Sequence, residues 1–203
     1  MAVSAKTMIL KDITTDTQTH YRLTEGEQSV FFLWNRSGEI TFELTGARAE
    51  AHIFAFFTGN GTEGAKLCLT QKHSAPHTTS SALVKSVLHD ASTFTYEGLI
   101  HITKEGEQTD ASQESRTLLL SRKAKAFTRP SLEILANDVR CRHAATVSPL
   151  SKEALFLAQS RGLSNAQATT LLTQGFFQEA FDALERLGIH TDTLQQKILS
   201  HTK

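Results

Sequence analysis

Two short stretches of the sequence hold residue types that could do chemistry together. In Val139-Arg140-Cys141-Arg142-His143-Ala144-Ala145-Thr146-Val147 a cysteine and a histidine stand two apart. On a strand they share one face, roughly 7 Å apart along it. Thiolate and neutral imidazole are both ligands for soft and borderline metals, and two of them make half of a tetrahedral site. A second chain could supply the other half. Val139, Ala145 and Val147 fall on the same face, so the spacing also fits a small buried cysteine in a core. His73 and His77 form the other pair. Their spacing would put both on one face of a helix, but Pro76 interrupts the spacer and Ser and Thr surround it. That segment reads as a polar loop rather than a zinc site. GxSxG, Walker and GxGxxG patterns are absent, so the common nucleophile and phosphate motifs are missing.

Such residues need a scaffold to position them. Before Pro149 the chain is rich in Thr, Ser, Phe, Ile and Val and alternates at period two. Ile40, Phe42 and Leu44 alternate with Thr41 and Glu43. Ala49, Ala51, Ile53 and Ala55 alternate with Glu50, His52, Phe54 and Phe56. Phe94, Tyr96, Gly98, Ile100 and Ile102 make a third run, and Leu132, Ile134 and Ala136 a short fourth. Period two means strands with one face buried. No helix of convincing length falls between residues 25 and 148. An all-β region of this kind is a sandwich, a barrel or a β-solenoid, and no fixed short repeat chooses among them.

After Pro149 the pattern is helical. Ser151 can N-cap a helix running to Arg161, ended by Gly162. Ser164 with Gln167 fits a capping box for a second helix, with Gly175 as its stop. Phe176, Phe177, Ala180, Phe181, Leu184 and Leu187 recur at helical spacing in a third, closed by Gly188, and a last helix follows Asp192. The chain thus divides into a β core over 1–148, with 1–24 as edge strands or partly disordered, and a helical unit over 149–203. The helical unit is too small to be very stable alone and should pack on the β core or on a partner.

The length of 203 residues suits one domain with a small appendage. Lys plus Arg and Asp plus Glu both number 21, so the formal charge is zero, which argues against general nucleic-acid binding. Cys68 and Cys141 could pair once but cannot make a disulfide scaffold. No apolar run approaches the ~20 residues of a membrane span, and the N-terminus lacks a signal-peptide pattern. The expectation is a soluble, reduced, cytoplasmic protein with no membrane partner. Charge is nonetheless uneven. Arg116, Arg122, Lys123, Lys125, Arg129, Arg140 and Arg142 are opposed locally by Glu133 and Asp138 alone. The cluster reads as a solvated strand face or as a basic surface for an acidic partner.

The segment from Pro130 to Leu184 resembles the SufB/SufD family of iron–sulfur cluster assembly scaffolds. Pro130, Leu132, Glu133, Ile134, Ala136, Asp138, Val139, Cys141, His143, Ala145, Thr146 and Val147 match its pattern, and Leu155, Phe156, Leu157, Ser160, Arg161 and Gly162 continue it. Looser likeness extends back to about residue 70. The resemblance implies a mainly β protein: a right-handed parallel β-helix core followed by a small C-terminal α-helical domain. Two departures point to the SufD type. Ala144 stands where SufB-type members carry a Glu, and Ser115 where they carry a Cys. Family members are about twice as long, so the resemblance is to a shortened form.

By that resemblance the chain is a non-enzymatic scaffold. It would pair with a SufB-like subunit through an assembly interface at Cys141 and His143. It would contact a SufC-like ABC-type ATPase through Leu155, Phe156, Arg161, Gly162, Phe176 and Phe177. No cofactor is expected to be held stably; an iron–sulfur cluster would be transient at the subunit interface, with Cys141 and His143 as passing ligands. Arg140, Arg142 and a neighbouring imidazolium would lower the Cys141 pKa. The alternative is a homodimeric β-helix that kept the fold as a structural or interaction protein.

Overall fold

The structure, a computed structural model, describes residues 8–199. Residues 1–7 and 200–203 lie outside the described residues, so the expectations for those ends are not followed further. Among the described residues eleven strands alternate between two parallel sheets. β1 (Ile9–Asp12), β3 (Gln28–Trp34), β5 (Glu50–Gly59), β7 (Thr79–Leu88), β9 (Thr109–Leu119) and β11 (Val139–Pro149) stack in that order. β2 (His20–Leu23), β4 (Gly38–Leu44), β6 (Gly64–His73), β8 (Thr93–Ile102) and β10 (Lys125–Ile134) make the facing sheet. Each strand pairs with the strand two later in the chain, which is a β-solenoid. The coils lengthen along it. Ile9 lies beside Ser29 and Gln28 beside Glu50, 20 and 22 residues apart. Glu50 then lies beside Thr79 and Thr79 beside Asp110, 29 and 31 apart.

The corners are stacked too. Gly26, Arg48, His77 and Gln108 all have positive φ, between 57° and 65°, just before β3, β5, β7 and β9. Each donates its N–H to a carbonyl of the next coil, as in Arg48 N to Pro76 O at 3.3 Å and His77 N to Glu107 O at 2.9 Å. Left-handed backbone is costly for a side-chain-bearing residue, and this stack of hydrogen bonds holds it. His77 is therefore a corner residue. His73 points inward instead and is fully buried, so the two do not converge.

The lumen of the early coils is aromatic. Tyr21, Phe31 and Phe42 pack with centroids 4.6 to 5.3 Å apart, and Leu23, Leu44, Ile53 and Phe57 fill in around them. In the later coils the lumen turns polar midway. His73 hydrogen-bonds the Thr78 and Ser80 hydroxyls at 2.7 and 2.8 Å. Gln113 donates to the carbonyls of Gly98 and Ser131 and accepts from Tyr96. Gly98 makes room for it: a Cβ there would collide with the Gln113 side chain.

Three helices follow: α1 (Lys152–Ser160), α2 (Asn165–Arg186) and α3 (Asp192–Leu199). Ser151 caps α1 by accepting from Ala154 N, and Ser164 and Gln167 form the capping box of α2. Gly175 does not stop a helix; α2 runs through it as one 22-residue element. A helical glycine costs about 1 kcal/mol, and the apolar stripe on either side outweighs that. Phe177 and Phe181 seat against Phe56 with centroids 5.7 and 5.3 Å away, each burial contributing about 2 kcal/mol. That contact also explains β5: Phe54 and Phe56 are buried on the outer face because α2 covers it. Lys85, on the same face, is buried. Its Nζ donates to Phe176 O at 2.6 Å and Glu179 Oε2 at 2.7 Å.

Candidate functional site at the open end of the solenoid

Every strand of the later coils is paired on both sides until β10 and β11. These two end their sheets, with one row of backbone donors and acceptors each left without a strand. Pro130 sits within β10, which an edge strand tolerates because its missing N–H costs no ladder bond on the open side.

The alternation of the preceding strands carries into these last ones. Leu132 and Ile134 lie beside the lumen residues Ile100 and Ile102, and Cys141 and His143 beside Ala111 and Gln113. One further coil would bury them. Without it, Leu132, Ile134 and Val147 are each nearly two-fifths exposed, and His143 is exposed. On the outer side of β10 and just beyond it, Phe127 and Leu135 are 61% and 51% exposed. Sequence reasoning treated Leu132 and Ile134 as ordinary strand residues and passed over Phe127. The signal available was position, since they belong to the last strands before the helices begin.

Cys141 is half-buried and packs with Val139 on Ile100, Ile102, Ala111 and Ala136. Burial, with the Asp110 carboxylate nearby, holds its thiol above the ordinary range. This corrects the expectation of a lowered pKa. Arg142 lies in the opposite phase of β11 and gives its guanidinium to Asp110 at 3.2 Å. Cys68 and Cys141 are both free. Among the described residues no group of three or more His, Cys, Asp or Glu converges as a metal site; Cys141 and His143 offer two donors. Ser115 lies buried in the lumen beside Ala145, and Ala144 is exposed next to His143.

The basic cluster is mostly answered. Arg116 meets Glu114 and Glu179, Arg129 meets Glu97, and Arg142 meets Asp110. Those acids stand about one coil earlier or on α2, which local sequence cannot show.

The second group of predicted site residues is split. Phe156 is 72% exposed on α1, and Leu157 and Leu171 are 56% and 52% exposed nearby. Arg161 and Gly162 are exposed after α1, and Leu155 is half-buried. Phe177 is fully buried against the sheet. Phe176 is half-buried, with the Lys85 ammonium 4.4 Å from its ring centre. Phe177 therefore belongs to the joint between helices and solenoid. Helical periodicity marks an apolar stripe but not which neighbour covers it. No helix among the described residues is long and apolar enough to cross a membrane.

Comparison with known proteins agrees with this architecture. The chain is 31% identical over 123 residues to the iron–sulfur cluster assembly protein SufD of Escherichia coli, covering 61% of this chain and 29% of that protein. It is 35% identical over 106 residues to SufB of Bacillus subtilis, covering 52% of this chain and 23% of the relative. A SufBD family protein of Synechocystis is 34% identical over 109 residues, or 54% and 24% of the two chains. The match thus spans less than a third of each of these relatives. The family model described as SUF system FeS cluster assembly, SufBD core domain, matches residues 8–176, from the first described strand into α2. The chain belongs to the SufBD core family of the SUF iron–sulfur cluster assembly system.

Proposed function

We propose that the chain is a SufD-like scaffold subunit that pairs with a SufB-like subunit through β10 and β11 and holds a SufC-like ATPase on α1. It does so in the cytoplasm and contributes surfaces rather than catalysis to assembly. The observation that carries this reading is the exposed row Leu132, Ile134, His143 and Val147 on two strands with open edges. A second β-helix laid against those edges would complete the ladders and cover the apolar side chains. Ala144 and Ser115 stand where SufB-type members carry Glu and Cys, which favours the SufD role. A nascent iron–sulfur cluster is cargo in this scheme. Cys141 and His143 would touch it only across the subunit boundary, where a partner adds the remaining ligands.

For the ATPase, Phe156 and Leu157 on α1 with Leu171 on α2 form the exposed apolar surface, and Phe177 is left out of it. Co-purification of the three chains tests both contacts at once. Leu132→Asp should release the SufB-like subunit and leave the ATPase bound; Phe156→Asp should do the reverse. Retention of both partners by both variants overturns the assignment. A homodimer through the same strands is the second reading, favoured by the same open edges. It is the answer if the purified chain alone has twice its monomer mass in light scattering and Leu132→Asp returns it to a monomer.

A further inference from the structure

A hydrogen-bonded Glu–His–Ser chain crosses the outer face of the odd-numbered sheet, away from the residues considered so far. Row by row, Gln28, Glu50 and Thr79 are register neighbours, and in the next outward row so are His52, Ser81, Ser112 and Arg142. His52 Nε2 lies 2.7 Å from Glu50 Oε1, and His52 Nδ1 lies 2.7 Å from Ser81 Oγ. Gln28 Nε2 donates to the other Glu50 oxygen at 2.8 Å. An ionised Glu50 fixes the imidazole tautomer. The proton sits on Nε2, which donates to the carboxylate, and Nδ1 is left as the acceptor for the Ser81 hydroxyl. The His52 side chain is only 12% exposed, so its orientation is held by packing as well as by hydrogen bonds.

Ser81 opens onto a groove of about 390 Å³. Phe54, Leu83 and Ala183 give it an apolar wall, and Ser112 and Arg142 a polar one. Other histidines of the fold lack this combination. His73 contacts two hydroxyls but no carboxylate and is sealed in the lumen. His20 contacts Glu43 with no hydroxyl on its other nitrogen. The sequence hides the grouping because Ser81 stands 29 residues from His52, one coil later.

We propose that Ser81 is a nucleophile activated by His52 and Glu50, and that it accepts acyl groups from small esters bound in this groove. Ser81 Oγ attacks the ester carbonyl carbon while its proton passes to His52 Nδ1. The carbon–oxygen bond to the leaving group then breaks, and His52 returns the proton to the departing alkoxide, leaving acyl-Ser81. Water, deprotonated by His52, attacks the acyl carbon; the carboxylic acid departs and Ser81 regains its proton. Arg142 and Ser112 are the donors that face charge developing on the carbonyl oxygen.

Two probes test this on the intact chain. A fluorophosphonate should add once, at Ser81, by peptide mass spectrometry, and His52→Gln should slow the addition at least ~100-fold, the usual worth of a general base. 4-Nitrophenyl butyrate should release nitrophenolate with a butyryl adduct on Ser81, both lost in Ser81→Ala. Glu50→Gln should slow both reactions while the melting temperature stays near that of wild type. An absent adduct at Ser81, an adduct rate indifferent to His52→Gln, or nitrophenolate release equal in Ser81→Ala and wild type would each overturn the proposal. In that event the three residues are a hydrogen-bond ladder across the sheet.

Discussion

The two ends of the solenoid are built on opposite plans. At the early end, Tyr21, Phe31 and Phe42 stack across a narrow lumen, and Lys197 of α3 reaches back to Asp12 of β1 at 2.8 Å. At the late end, the lumen is wider, holds His73, Gln71, Ser80 and Gln113, and opens to solvent at β10 and β11. Apolar packing is non-directional and tolerates no gap, so the early end supplies most of the stability. Polar groups in a lumen must each find a partner, which fixes one arrangement of the later coils. One plan secures the fold; the other presents a surface.

The largest effect separating them is expected from Phe42→Ala. Phe42 is fully buried between two aromatic rings, and a cavity of that kind costs about 3–5 kcal/mol. Urea denaturation measures it, and a loss below about 1.5 kcal/mol would break the contrast. Next comes the lumen histidine. Burial pushes the His73 pKa down to about 4, so the unfolded chain binds a proton there that the native chain does not. Stability supplied by neutral His73 is full above the ordinary histidine range and lost as pH falls from about 6.5 towards 4. Between pH 7 and pH 5 this one group should cost the wild type about 2 kcal/mol more than it costs His73→Gln. Parallel pH dependences in the two proteins would show that His73 is solvated.

The alternation of β4 and β8 is plain in the sequence, as are the cap at Ser151, the capping box at Ser164 and the close at Gly188. The coil is not, because its length drifts from 20 to 31 residues and leaves no fixed repeat. Everything that depends on cross-coil register was therefore hidden: the acids that answer Arg129 and Arg142, the contact of His52 with Ser81, and the corner role of His77. The reading of Gly175 failed for a different reason. Local propensity marks a glycine as a stop, and the seat of Phe177 and Phe181 on Phe56 overrides it.

Smaller effects sharpen the comparison at the open end. Cys141→Ser should cost about 1 kcal/mol, since the thiol packs on apolar neighbours from one side only. Its raised pKa should make it react with a thiol reagent at neutral pH more slowly than a free cysteine does. A faster reaction would mean that a thiolate is being stabilised there. Phe156→Asp should change stability by less than about 0.5 kcal/mol, because the ring is already in water. A larger loss in a thermal melt would make α1 part of the core.

The stacking of each coil only on its neighbours has a kinetic side. Contacts along the solenoid recur at a nearly constant loop length rather than joining distant ends of the chain, so order can spread from coil to coil as in a one-dimensional array. The aromatic early coils are the natural starting point, and the last coil, held on one side only, is where that order frays first. Amide protons of β10 and β11 should exchange through local opening while those of β3 and β5 wait for global unfolding. A partner that covers the last coil would then act as the next layer of the array, and its binding would be read as slowed exchange two or three strands away from the contact itself.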